Sequence, residues 1–178
     1  MKDALAIHRW LLAHQIHHEI VRLPRALTSS QELPEVLGVE AATCVSVRVF
    51  EVSYQDGRDP VAVVGAVDTP PKAKAVGALF RARRVVPASA FVVNSATDYA
   101  DGLVCPLLLP DHLAVLIDQR LIDNLDPDEP VITATGERST ALRLRAFHLL
   151  DLMSGKPVDL TTARRRGLAS LASPMSTA

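Results

Sequence analysis

A chain of 178 residues, 48% hydrophobic and with a net charge of −1, can bury one substantial core and has the size of a single domain. No apolar run approaches the roughly 18 to 20 residues that cross a bilayer. Asp3, His8 and Arg9 interrupt the N-terminal stretch, so no membrane partner, no signal peptide and a cytoplasmic location are expected. Cys44 and Cys105 lack any CxxC spacing, which excludes a zinc knuckle or a disulfide framework and leaves free thiols.

In chain order, Ala4, Ile7 and Leu11 recur at helical spacing, with Trp10 and Leu12 widening the apolar face. An amphipathic helix over residues 3–14, packed on the core, is expected. HEIVRL, residues 18–23, alternates as a half-buried strand does, and Pro24 ends it. Ser29 and Glu32 have the spacing of a capping box, and Gly38 is placed to close a short helix. In TCVSVRVFEV, residues 43–52, Val45, Val47 and Val49 face one way while Cys44, Ser46, Arg48 and Phe50 face the other. QDGRDP turns the chain into VAVVGAV, residues 61–67, a buried partner strand.

A loop and a helix follow in TPPKAKAVGALFRARR, and a second helix is expected near residues 88–97. The loop-and-strand segment GLVCPLLL leads to LAVLID, residues 113–118, and PVITATG, residues 130–136. Ala146, Leu149, Leu150 and Met153 stand at i, i+3, i+4 and i+7 and predict a C-terminal helix. Residues 1–160 then form one domain, and residues 161–178, with three consecutive arginines, a loosely held tail. Strands and helices do not alternate regularly, so the expected class is α+β, a curved mixed β-sheet with packed helices.

Charge is clustered although the net value is near zero. Arg81, Arg83 and Arg84, then Arg143 with Arg145, then Arg164 to Arg166 concentrate positive potential, which suits phosphate contacts and equally suits a solvated surface. His14, His17 and His18 invite a metal reading, but no HExxH pattern or cysteine pair completes a site, and neither a metal nor a cofactor is expected. In GLVCP, a glycine able to adopt positive φ and a proline that fixes φ bracket three apolar residues. They describe a stiff, shaped loop.

Taken together, LGVEAATCVSVRVFEV, DTPPKAKAV, ATDYADGLVCPLLL, AVLIDQRLID, ITATGERSTALRL and VDLT resemble, in order and spacing, the YbaK-like aminoacyl-tRNA deacylases. These are relatives of the editing domain inserted in bacterial prolyl-tRNA synthetases. The resemblance runs from about residue 5 to residue 160. It implies a trans-acting hydrolase that cleaves the ester of mischarged tRNA, with mischarged aminoacyl-tRNA as its partner and a synthetase as a further one it allows. It leaves the oligomeric state open. Gly102 and Pro106 fit the G-x-x-x-P loop that helps hold substrate in that family, enclosing Leu103, Val104 and Cys105. Preorganised backbone dipoles in such a loop can supply much of the catalysis, assisted by the terminal ribose hydroxyl. Asp118 and Gly136 fit the I-D and G-E-R segments near the site.

Two departures qualify the resemblance. Where relatives carry a lysine on the strand, in a pattern like V-K-T-L-V-F, this chain has Ser46. Arg48, on the same strand face, is long enough to lean back toward that place, or serves as a surface residue or internal ion-pair partner. Where relatives often have T-G-Y, the chain has Thr97, Asp98 and Tyr99; at positive φ, aspartate is among the less costly replacements. Cys105 reads as a small apolar filler rather than a nucleophile, since no histidine can be placed beside it. The alternatives to a deacylase are a catalytically degenerate module binding the tRNA end or the aminoacyl group, and a hydrolase of another small acylated substrate.

Overall fold

The central hairpin, β2 (Cys44–Ser53) with β3 (Arg58–Ala66), pairs Val45 with Ala66 through to Ser53 with Arg58. Its valines have branched Cβ atoms that suit a pleated, buried surface. In this computed structural model, which describes residues 1–161, six further strands complete an eight-stranded mixed sheet. They are β1 (His18–Arg22), β4 (Arg84–Pro87), β5 (Ala114–Asp118), β6 (Pro130–Ala134), β7 (Thr140–Arg145) and β8 (Lys156–Val158). The order is β1-β7-β6-β2-β3-β5-β8, with β4 also on β2. The helices among the described residues are α1 (Ala4–Ala13), α2 (Leu33–Leu37), α3 (Ala73–Phe80), α4 (Ala90–Thr97), α5 (Gln119–Asn124) and α6 (Ala146–Leu152).

One sheet face carries the main core. Ile7 and Leu11 of α1, Val93 of α4 and Leu149 of α6 cluster there with Val45, Val47, Val49, Ala62 and Val64; burying each large aliphatic chain contributes about 1.5–3 kcal/mol. Leu12, expected to widen the apolar face of α1, is 57% exposed. The other face is split. Cys44 belongs to a cluster with Leu27, Leu33 and Ile132, and Phe50 and Val52 to a second with Val76 and Leu116. Ser46 and Arg48 lie on the strand between these two clusters.

The expected helices and the main hairpin form within a few residues of their predicted bounds. Gly38 closes α2 in the left-handed conformation, φ +63°, as the placement of that glycine requires. The difference lies in the apolar run 107–109, which is loop rather than strand. Strands β4, β7 and β8 and helix α5 are additional to the elements expected from the sequence. Among the described residues no helix is long and apolar enough to cross a membrane. Nearly all of the expected tail, with Arg164 to Arg166, lies outside the described residues.

One topological feature sets up a site. β3 occupies one edge of β2 along Val45–Ser53, so β4 and β6 share the opposite edge: β6 runs parallel at Cys44 and Val45, and β4 antiparallel at Phe50–Ser53. The pairing ends where Ala88 N–H donates to the Val49 carbonyl, and Ser89 then caps α4 by accepting from Val92 N–H, so the chain turns away there. The middle of β2 is left with an open edge.

Candidate functional site

Backbone groups alternate sides along a strand, and their partners show which side each takes. The Cys44 carbonyl accepts from Val67 N–H on the β3 edge, whereas the Val49 and Ser53 carbonyls accept from Ala88 N–H (2.9 Å) and Arg83 N–H (3.0 Å) on the β4 edge. Val47 shares the parity of Val49 and Ser53, so its N–H and C=O face the gap between β4 and β6. A cavity of about 220 Å³ fills that gap, lined by Gln31, Val47, Arg48, Ala88, Gly102 and Val104 among others.

Two loops wall it. At Gly102 the backbone takes φ +78°, and a Cβ there would stand 2.6 Å from the Thr28 carbonyl oxygen; only glycine allows this approach. Ser30 N–H donates to the Gly102 carbonyl at 2.8 Å, locking the loops together. Residues 28–32 are organised by a capping box: the Glu32 carboxylate accepts from Thr28 N–H (2.7 Å) and Ser29 N–H (3.0 Å). These backbone donors, Thr28 first, push its pKa down to about 2 from an ordinary 4.5. A carboxylate depressed on folding stabilises above its unfolded pKa and loses that contribution as pH falls through the folded one. Slowed hydrogen exchange at Thr28 and Ser29 is therefore expected at neutral pH and lost between about pH 4.5 and 2, and Glu32→Gln should abolish that pH dependence.

The far end of the 102–106 loop is held from below. Tyr99, fully buried, donates its hydroxyl to the Leu107 carbonyl at 2.7 Å, and burial pushes its pKa upward. Lys2 Nζ donates to the carbonyls of Leu108 and of Thr97. Tyr99→Phe strands the Leu107 carbonyl and should cost about 1–3 kcal/mol, read as a lower denaturant midpoint with an unchanged slope.

A family profile described as an aminoacyl-tRNA editing domain matches residues 24–152. The chain belongs to that family. A search of curated proteins finds no match. Solved structures of similar fold include a protein provisionally described as a trans-editing enzyme for prolyl tRNA synthetase, at 21% identity and TM-score 0.67, covering 86% of this chain and 92% of that one. A hypothetical protein is similar at 20% identity and TM-score 0.69, with 86% and 97% covered. A scaffold from epitope grafting by computational design is similar at 19% identity and TM-score 0.67, with 86% and 92% covered.

Within this editing domain, Arg48, Gly102 and Val104 line the one cavity. Ser46 is 1% exposed and sits behind that lining, where its hydroxyl accepts from Gln31 Nε2 at 3.2 Å. Arg48 is exposed and has no hydrogen-bond or ion-pair partner among the described residues. Leu103, Cys105 and Pro106, in the loop itself, are buried and are not among the residues lining the cavity. Burial pushes the Cys105 thiol up to about 12, so at neutral pH it stays protonated and unreactive. Asp98 adopts φ +60° at the end of α4.

The other two site residues expected from the sequence lie apart from the cavity lining. Register places Ser46 beside Gly65, and Gly65 beside Asp118, on one sheet face. The Asp118 carboxylate, 1% exposed, is taken by Arg120 at 2.6 Å. Gly136, at φ +90°, packs against the Lys2 carbonyl and the Tyr99 ring. Sequence reasoning missed Gln31 and the Val47 backbone. Their roles depend on which strands share an edge of β2, for which no local pattern exists. A larger cavity, about 340 Å³, lies by Lys72, Lys74 and Arg120, away from the loop. His14 and His18 make local contacts, to the Trp10 carbonyl and to His8.

Proposed function

We propose that the protein is a trans-acting deacylase that hydrolyses the ester joining a wrong amino acid to the 3′ end of tRNA. The observation that carries this reading is the Arg48 guanidinium, without a partner among the described residues, which lines with Gly102 the gap into which Val47 turns its backbone. The aminoacyl group occupies the cavity of about 220 Å³, with the terminal nucleotide outside it. Arg48 then takes a phosphate of the tRNA terminus by charge-assisted hydrogen bonds. The ester carbonyl lies toward the Val47 N–H and the loop backbone, which offer fixed dipoles to the developing oxyanion.

Water adds to the carbonyl carbon, the bond to the ribose oxygen breaks, and that oxygen leaves with a proton relayed through the neighbouring ribose hydroxyl. The products are a free amino acid and uncharged tRNA. No side-chain nucleophile is required, in keeping with the protonated, buried Cys105. A second reading is favoured by Ser46, which is buried against Gln31 where relatives carry lysine: a module that binds the aminoacylated end without cleaving it.

A deacylation assay across a panel of mischarged tRNAs, beginning with tRNA specific for proline, separates the two. Release of amino acid above the spontaneous rate supports the deacylase. Saturable binding without release supports the module, and neither binding nor release defeats both.

A further inference from the structure

Among the described residues, the side chains lining the cavity include one carboxylate, Asp101, and one cation, Arg48. Asp101 is exposed, and neither of its carboxylate oxygens has a partner among the described residues. The nearby acids differ: Glu32 is occupied by backbone N–H groups and Asp118 by Arg120. The backbone around Asp101 is nonetheless fixed. Its N–H donates to Asn94 Oδ1 at 2.9 Å, and the next carbonyl, that of Gly102, accepts from Ser30 N–H. A fixed backbone thus presents at the cavity a carboxylate without a partner among the described residues.

An aminoacyl ester at the end of a nucleic acid carries anionic phosphodiesters and, when its amine is protonated, one cation common to every aminoacyl group, the α-ammonium. We propose that Asp101 recognises this free α-ammonium, so that the site selects aminoacyl groups with an unblocked amine over N-acylated ones. The inference rests on the deacylase reading for its substrate, with phosphate at Arg48 and ammonium at Asp101 giving the ester a single orientation. An N-acylated substrate would leave Asp101 unpaired, and rejection through unpaired groups is a common source of selectivity.

The test compares one mischarged tRNA with its N-acetylated form, using wild type, Asp101→Asn and Asp101→Glu. Asp101→Asn should lower kcat/KM on the free-amine substrate about three- to tenfold, leave the N-acetylated substrate within about twofold, and be partly restored in Asp101→Glu. An equal loss on both substrates would assign Asp101 to the hydrolytic step instead and overturn the proposal. No loss on either would overturn it too. Binding of a non-hydrolysable 3′-aminoacylamino-3′-deoxyadenosine and its N-acetyl counterpart is measured in parallel. A chain that cleaves nothing yet prefers the free amine in an Asp101-dependent way would refute the deacylase reading and keep this one; no such preference would end both.

Discussion

Gly102→Ala is expected to lower the melting temperature by about 5–15 °C and to abolish deacylation in the protein that remains folded. Two costs combine. A non-glycine residue in the left-handed region loses about 1–2 kcal/mol, and φ here is +78°. The added Cβ would also stand 2.6 Å from the Thr28 carbonyl oxygen, so backbone must move on one side or the other. Moving it breaks the Ser30 to Gly102 hydrogen bond and separates the two loops that wall the cavity. A thermal melt indistinguishable from wild type would mean that these loops are not in contact.

Arg48→Ala carries the second large effect, on activity rather than stability. The guanidinium has no partner among the described residues, so its removal leaves no buried charge uncompensated, and the melt should shift by less than about 0.5 kcal/mol. A charge-assisted hydrogen bond to phosphate is worth about 1.5–3 kcal/mol. Loss of one expressed in the transition state lowers kcat/KM by about tenfold to a hundredfold. Arg48→Lys should recover part of this, since the charge returns without the planar fork. Full activity in a folded Arg48→Ala protein would remove Arg48 from the site. Ser46→Lys is a harder experiment than the strand pattern alone suggests, because the position is buried and a lysine must first displace Gln31.

How much of this could be read from the sequence depends on whether the cause was local. The alternation of residues 43–52 and the i, i+3, i+4, i+7 pattern at Ala146 are local, and both produced the expected elements. The capping box at Ser29 and Glu32 formed because its partners are three residues apart. The run 107–109 misled because its carbonyls are satisfied from afar, Leu107 by Tyr99 and Leu108 by Lys2, with Leu108 itself at φ +57°. Helix α5 is six residues long and β8 three, too short for a period to show. In the site, GLVCP was legible as a stiff loop. What it faces was not: Gln31 reaches Ser46 across 15 positions, and the open edge at Val47 exists only because two strands share one side of β2.

Where the aminoacyl group binds is tested most directly by amide chemical-shift mapping with a non-hydrolysable 3′-aminoacylamino-3′-deoxyadenosine. Shifts should concentrate at Gln31, Val47, Arg48, Asp101 and Gly102, around the gap between β4 and β6. Shifts confined elsewhere, for example to Lys72, Lys74 and Arg120 around the 340 Å³ cavity, would contradict it.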